Sequence, residues 1–140
     1  MMTGLPESAR ALVVEGRLAH VVTVNRDGSP QVSIVWLGID GDELVSAHLH
    51  EALKVRNLRR DPRAVISMES QGVQPNGLQE HLIAYCTARV TEGGAAEMLQ
   101  QLAHVYLGPE VRFPPVDDPP PGFVLRYAVD RIGGIGPWAR

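Results

Sequence analysis

The sequence predicts a mainly β domain: a closed or nearly closed antiparallel barrel of six or seven strands with short helices at its periphery. Three observations carry this. Runs rich in β-branched residues recur along the chain, punctuated by turns containing Gly, Asp and Pro. The helical patterns between them are short and do not alternate with strands as a βαβ fold requires. At 140 residues the chain has the length of one domain, spanning 1–140, with a single continuous core.

Each element follows in order. Residues 6–15, PESARALVVE, place a proline in a first helical turn and an apolar stripe at Leu5, Ala9, Leu12 and Val13, ahead of Gly16. LAHVVTVN and PQVSIVWLGID, joined by the turn RDGS, read as a hairpin whose second strand begins at Pro30. The tight turn DGD at 40–42 leads into ELVSAHL, so three strands are expected to run as a meander. EALKVRNLRRD reads as a helix of about three turns stopped by Asp61-Pro62. RAVISME and HLIAYCTARVTE are strands, separated by a loop in SQGVQPNGLQ. Residues 94–107 repeat apolar side chains at Ala95, Met98, Leu99, Leu102, Val105 and Tyr106, an amphipathic helix that should cover the sheet. The stretch 108–122 holds six of the eleven prolines and excludes regular structure; it reads as a linker or as an ordered excursion over this subunit or a neighbour. FVLRYAVDRIGGIGPWAR closes the chain as one strand and a glycine-rich tail ending at Trp138.

Composition narrows the function. A net charge of −3 with 21% charged residues gives no global electrostatic reason to bind nucleic acid. One cysteine, Cys86, excludes a disulfide framework or a four-cysteine metal site within one chain, and in an apolar strand it reads as an inert core residue. The histidines lie in separate elements apart from the pair at His48 and His50, and no carboxylate pattern completes a metal site. MMTGLPESAR lacks a cationic leader, and no segment has the ~20 apolar residues of a membrane-spanning helix, so a cytoplasmic protein without membrane partners is expected. No G-x-S-x-G, P-loop or Rossmann glycine fingerprint occurs. Among thirteen cations only Lys54 is a lysine, set among Arg56, Arg59, Arg60 and Arg63.

The order of elements, together with LAHVVTVNRDGSPQVSIVWLGIDGDELVSAH, LKVRNLRRDPRAVISM and RIGGIGPW, resembles the pyridoxamine 5′-phosphate oxidase-like superfamily of split β-barrel flavin and deazaflavin proteins. The resemblance is strongest to the small oxidoreductases that use coenzyme F420, and it covers nearly the whole chain. It implies a homodimer, with a pocket for the cofactor phosphate between a strand end and the following helix. Lys54, in a helix's first turn where free N–H groups and the dipole favour an anion, is the expected phosphate ligand. Ser46 and His48, at alternate positions of the preceding strand, share a face and are expected to add donors. Arg56 lies two residues on, facing away from Lys54, and is a lesser candidate. Without the resemblance these cations read as a solvated helix face.

In the second strand, Ser33 and Val35 share a face with Gln31, and the resemblance implies that they run beside the tricyclic ring. A lone strand serine otherwise reads as an exposed residue. Trp138 either packs over the cofactor of its own or a partner subunit, or plugs the base of the barrel. No catalytic side chain is expected, because the cofactor supplies the chemistry. The implied activity is F420-dependent hydride transfer between the deazaflavin C5 and a small organic acceptor. An FMN-dependent oxidoreductase of the same superfamily and a non-catalytic flavin-, F420- or haem-binding protein are the alternatives.

Overall fold

The computed structural model describes residues 4–139. Its helices are α1 (Glu7–Val13), α2 (Leu53–Arg60) and α3 (Ala95–Tyr106); its strands are β1 (Ala19–Val24), β2 (Pro30–Val35), β3 (Gly38–Asp40), β4 (Glu43–His48), β5 (Arg63–Val73), β6 (Gln79–Glu92) and β7 (Phe123–Ile135). The strands form one antiparallel sheet in the order β2-β1-β5-β6-β7-β4-β3. Its two edge strands are consecutive in the chain, joined only by Trp36 and Leu37. Three Cα steps reach at most about 11 Å, so the sheet must curl until its edges meet. The fold is therefore the expected barrel.

The interior is filled from the inward faces of the strands and from α1. Val21, Leu44, Ile66, Met68, Leu82, Leu125 and Tyr127 are all essentially inaccessible, with Leu5, Ala9, Leu12 and Val13 of the N-terminal segment packed into the same cluster. Each such aliphatic or aromatic side chain contributes roughly 1.5–3 kcal/mol by leaving water. A second cluster lies outside the barrel wall, where Ala95 and Leu99 of α3 cover Val45, Ala47 and Val124. β4 is thus covered on both sides: Leu44 and Tyr127's partner Ser46 face the interior, while Val45 and Ala47 face α3.

Several expectations are corrected. The strand read through 30–40 breaks at Trp36–Leu37, and the three-strand meander does not form: β2 pairs with β1, β3 with β4, and β4 with β7. The buried Leu37 turns the chain inward, and Gly38 lets α3 approach, since a Cβ there would lie 2.7 Å from Leu102 Cδ2. The loop expected in SQGVQPNGLQ shrinks to a turn closed by Gln74 N–H donating to Leu78 O (2.8 Å), with β5 continuing to Val73. β7 continues through Gly133 and Gly134 to Ile135; at Gly134, with φ +93°, a side chain would collide with the His81 carbonyl. On α3, Val105 is exposed and Ala103 takes its place in the core. Residues 108–122 form no regular element, as read from their prolines. Among the described residues no helix is long and apolar enough to cross a membrane.

Candidate functional site

The barrel opens where β2 and β4 part. β3 pairs with β4 from Glu43 to Val45, after which the chain leaves to become β2 on the far edge of the sheet. Ala47 and His48 keep β7 on one side and lose their neighbour on the other. A cavity of about 250 Å³ occupies this wedge, lined by Ile34, Val35 and Trp36 from the β2 end, Ala47 and His48 from β4, and Lys54 from α2. Leu99 of α3, Phe113 and Leu18 complete it.

Lys54 is the second residue of α2. No acidic residue stands in that first turn, and the N-cap residue, Ala52, has no side chain able to cap it. Val55 and Arg56 N–H groups bond to Ala52 O, whereas those of Leu53 and Lys54 have no acceptor among the described residues. A cation beside free N–H groups at the positive end of a helix repels its surroundings unless an anion joins them. The Lys54 ammonium is half-buried and forms no hydrogen bond or ion pair among the described residues, and burial lowers its pKa. Arg56 likewise forms no hydrogen bond or ion pair among the described residues but is exposed, whereas the other two cations of α2 are engaged. Arg59 pairs with Glu51 and with Glu92 (3.3 Å) and lies over the Phe123 ring, and Arg60 donates to Val24 O. Arg63, just beyond α2, pairs with Asp61 (2.7 Å), holding that carboxyl down to about 2.

His48 closes the cavity beside Lys54. Its Nε2 lies 2.9 Å from Ser46 Oγ, which lies 2.9 Å from Tyr127 Oη inside the barrel. Burial, and then the Lys54 charge, push the imidazole down to about 3, so it is neutral at physiological pH. Ser46, expected beside His48 as a donor to the ligand, is instead fully buried and spends its hydroxyl on His48 and Tyr127.

Aromatic rings form the opposite wall. Trp36 stacks on Tyr106 with centroids 5.5 Å apart, and Phe113 meets the indole edge-on at 5.0 Å. Tyr106 is pinned by accepting from Leu37 N–H (2.9 Å) and donating to Arg17 O (2.6 Å). The Gln100 side chain of α3 grips the proline-rich segment at two points, donating to Val111 O (2.8 Å) and accepting from Phe113 N–H (2.9 Å). That segment therefore covers the cavity of its own chain.

The other predicted residues are dispersed. Val35 lines the cavity; Ser33 does not, although its Oγ is buried without a partner among the described residues. Arg56 lines a separate open groove of about 470 Å³ with Arg26, Arg60 and Leu53, on the outer side of the α2 N-terminus. Trp138 is 7% exposed in the core cluster, and its Nε1–H donates to His81 O (3.0 Å). Within the chain it plugs the barrel and does not line the Lys54 cavity. Asn57 donates to Thr23 Oγ1 and Asn25 Oδ1, both at 3.0 Å, tying α2 to β1. Burial pushes the Cys86 thiol up to about 12. Among the described residues no cluster of three potential metal ligands occurs.

Sequence reasoning missed Trp36, Phe113, Gln100 and Tyr127. Trp36 was read as part of a continuous strand, and Phe113 lay in a segment whose prolines announce irregular backbone without saying where it goes.

The pattern of the family described as pyridoxamine 5′-phosphate oxidase matches residues 5–135. The chain belongs to that family. No curated protein matches it. Among solved structures it resembles an F420 reductase, with 22% identity, a TM-score of 0.71, and coverage of 92% of this chain and 98% of that one. It also resembles a conserved hypothetical protein of Mycobacterium tuberculosis (20% identity, TM-score 0.70, covering 93% and 84%). A heme binding protein of Mycobacterium smegmatis shares 23% identity at a TM-score of 0.65, over 96% of this chain and 55% of that one. At these identities the likeness is one of fold.

Proposed function

We propose that the protein is a homodimeric oxidoreductase that binds coenzyme F420, with the cofactor's phosphate at Lys54 and its ring leaving the wedge between β2 and β4. One observation carries the reading: a half-buried ammonium without a partner among the described residues stands beside the uncapped N-terminus of α2, on the lip of a cavity. A phosphate supplies the negative charge that both groups lack, through charge-assisted hydrogen bonds. The donor set thus fits the anionic end of a flavin-type cofactor. When bound, the deazaflavin contributes a hydride carrier at C5; the chain's own part is to hold, orient and exclude water.

The cavity of about 250 Å³ is below the ~300–1,000 Å³ of ligand pockets. It suits the phosphate end, and the ring needs further walls. Leu18, Val32 and Ile34 are each more than half exposed, beside that opening. A second copy covering them would complete the ring site and bury apolar surface. Small aromatic or conjugated acceptors suit the wall made by Trp36 and Phe113. F420 is favoured over FMN by the groove of Arg26, Arg56 and Arg60, whose three cations outnumber the one carboxylate there, Asp27, since a polyglutamate tail leaving the phosphate finds net positive charge there whereas FMN has no such tail. Arg59, held by Glu51 and Glu92, takes no part in that groove.

Parallel fluorescence titrations with F420 and FMN test the reading. F420 binding at least tenfold tighter supports it; micromolar FMN binding with no F420 binding moves the assignment to the FMN-dependent alternative. Binding of either cofactor with no acceptor reduced across enones, quinones and bilins favours a carrier.

A further inference from the structure

Two buried hydroxyls and a partly buried imidazole run in line from the barrel interior to the cavity: Tyr127 Oη, Ser46 Oγ and His48 Nε2, with 2.9 Å between successive atoms. Two hydroxyl protons and one imidazole proton must be distributed along this line, and the positions of hydrogens follow from accounting. Tyr127 is wholly buried, and Ser46 Oγ is its hydroxyl's one partner among the described residues. If Tyr127 did not donate to Ser46, its O–H would be buried without an acceptor, at about 1–3 kcal/mol. Ser46, accepting from Tyr127, has its own proton left for Nε2. His48 Nε2 is then an acceptor, so the imidazole proton sits on Nδ1. That nitrogen has no partner among the described residues and belongs to a side chain lining the cavity.

We propose that the Tyr127–Ser46 pair fixes His48 in its Nδ1–H form, making it an obligate hydrogen-bond donor to the ligand and not a base. The reversed chain, with Nε2–H donating to Ser46 and Ser46 to Tyr127, leaves the phenol proton orphaned in the core. With Lys54 an ammonium, the polar lining at this point consists of donors alone. It recognises an acceptor-only group such as an ionised phosphate ester, and discriminates against a neutral hydroxyl that must also donate. Burial and the neighbouring ammonium keep the ring from gaining a second proton. Ser46 and Tyr127 are positioning residues: they touch no ligand and act through the imidazole. The tautomer assignment stands on the protein alone; the identity of the ligand rests on the proposed function.

The test is ¹⁵N NMR of histidine-labelled full-length protein without ligand at neutral pH. His48 is assigned by comparison with His48→Gln. The expected result is Nε2 in the range of an unprotonated ring nitrogen and Nδ1 in that of a protonated one. The opposite assignment overturns the proposal whatever cofactor binds. In Tyr127→Phe the direction of the chain is freed, so the two tautomers should mix, while Ser46→Ala should release Nε2 altogether. With FMN as the phosphate probe, Tyr127→Phe is expected to weaken binding about three- to tenfold, the worth of one hydrogen bond, and to leave riboflavin binding unchanged. An Nδ1–H tautomer without FMN or F420 binding retains the inference and removes the phosphate reading; an unchanged tautomer in both variants overturns the relay.

Discussion

The two ends of β7 treat their polar groups in opposite ways. At the Ile135 end, the indole of Trp138 fills the barrel and its N–H meets the His81 carbonyl. At the Phe123 end, where β7 pairs with the last residues of β4, Lys54 and His48 line a cavity in which the ammonium and one imidazole nitrogen have no protein partner among the described residues, and the first two N–H groups of α2 have no acceptor there either. Buried polar groups are normally paired. On the proposed function, the end whose polar groups are satisfied serves stability and the end left open serves an anion.

Substitutions at the two ends should therefore differ in kind. The largest effect on stability belongs to Trp138→Ala, expected to cost about 3–5 kcal/mol in denaturant unfolding, as for other large-to-small core changes. Trp138→Phe should recover most of that loss. Cofactor affinity falling in Trp138→Phe while stability holds would show that the two ends are not separate.

The next effect is a pH dependence at the open end. The His48 pKa is about 3 in the folded chain against an ordinary 6.5, so between these values the unfolded chain carries a proton that the folded one lacks. Stability must then rise with pH across that window and level off above it, by on the order of 5 kcal/mol. His48→Gln should flatten the slope between pH 4 and 6.5. Asp61 acts in the same direction, its stabilisation being lost as pH falls from its ordinary 3.8 through about 2, and so lies below the upper part of the window. A slope that survives in His48→Gln would place its origin elsewhere.

The smallest effect is expected at Arg56. Arg56→Gln should weaken F420 binding a few-fold, more at low salt, and leave FMN binding unchanged, as suits an exposed cation that meets a tail and not a phosphate. Equal weakening for the two cofactors would remove the tail groove from the account.

Most of the fold was legible because its signals are local. β-Branched runs, the Asp-Pro stop after α2 and the apolar period of α3 each specify an element within a dozen residues. The break at Trp36–Leu37 was not legible, since nothing there interrupts the strand pattern; closure of the sheet forces it, and closure is a property of seven strands together. The glycines of β7 read as a tail because their pairing with Leu82 and Ile83 lies far away in sequence. At the site, the sequence singled out Lys54, His48 and Val35, whose neighbourhoods follow from strand alternation and the helix start. It misjudged Ser46 because alternation puts two residues on one face without saying that the first ends under the sheet and the second at its rim. Phe113 and Gln100 meet through a segment whose course only the folded chain specifies.

The central claim is that Lys54 is held unpaired for a phosphate. Its most direct test is a thermodynamic cycle: FMN against riboflavin, and F420 against its phosphate-free riboside, each titrated into the wild type and Lys54→Met. The account predicts that the wild type prefers the phosphorylated ligand by tenfold or more, that Lys54→Met abolishes most of this preference, and that the variant is at least as stable as the wild type, because a half-buried unpaired cation has been removed. A phosphate preference that persists unchanged in Lys54→Met would contradict it.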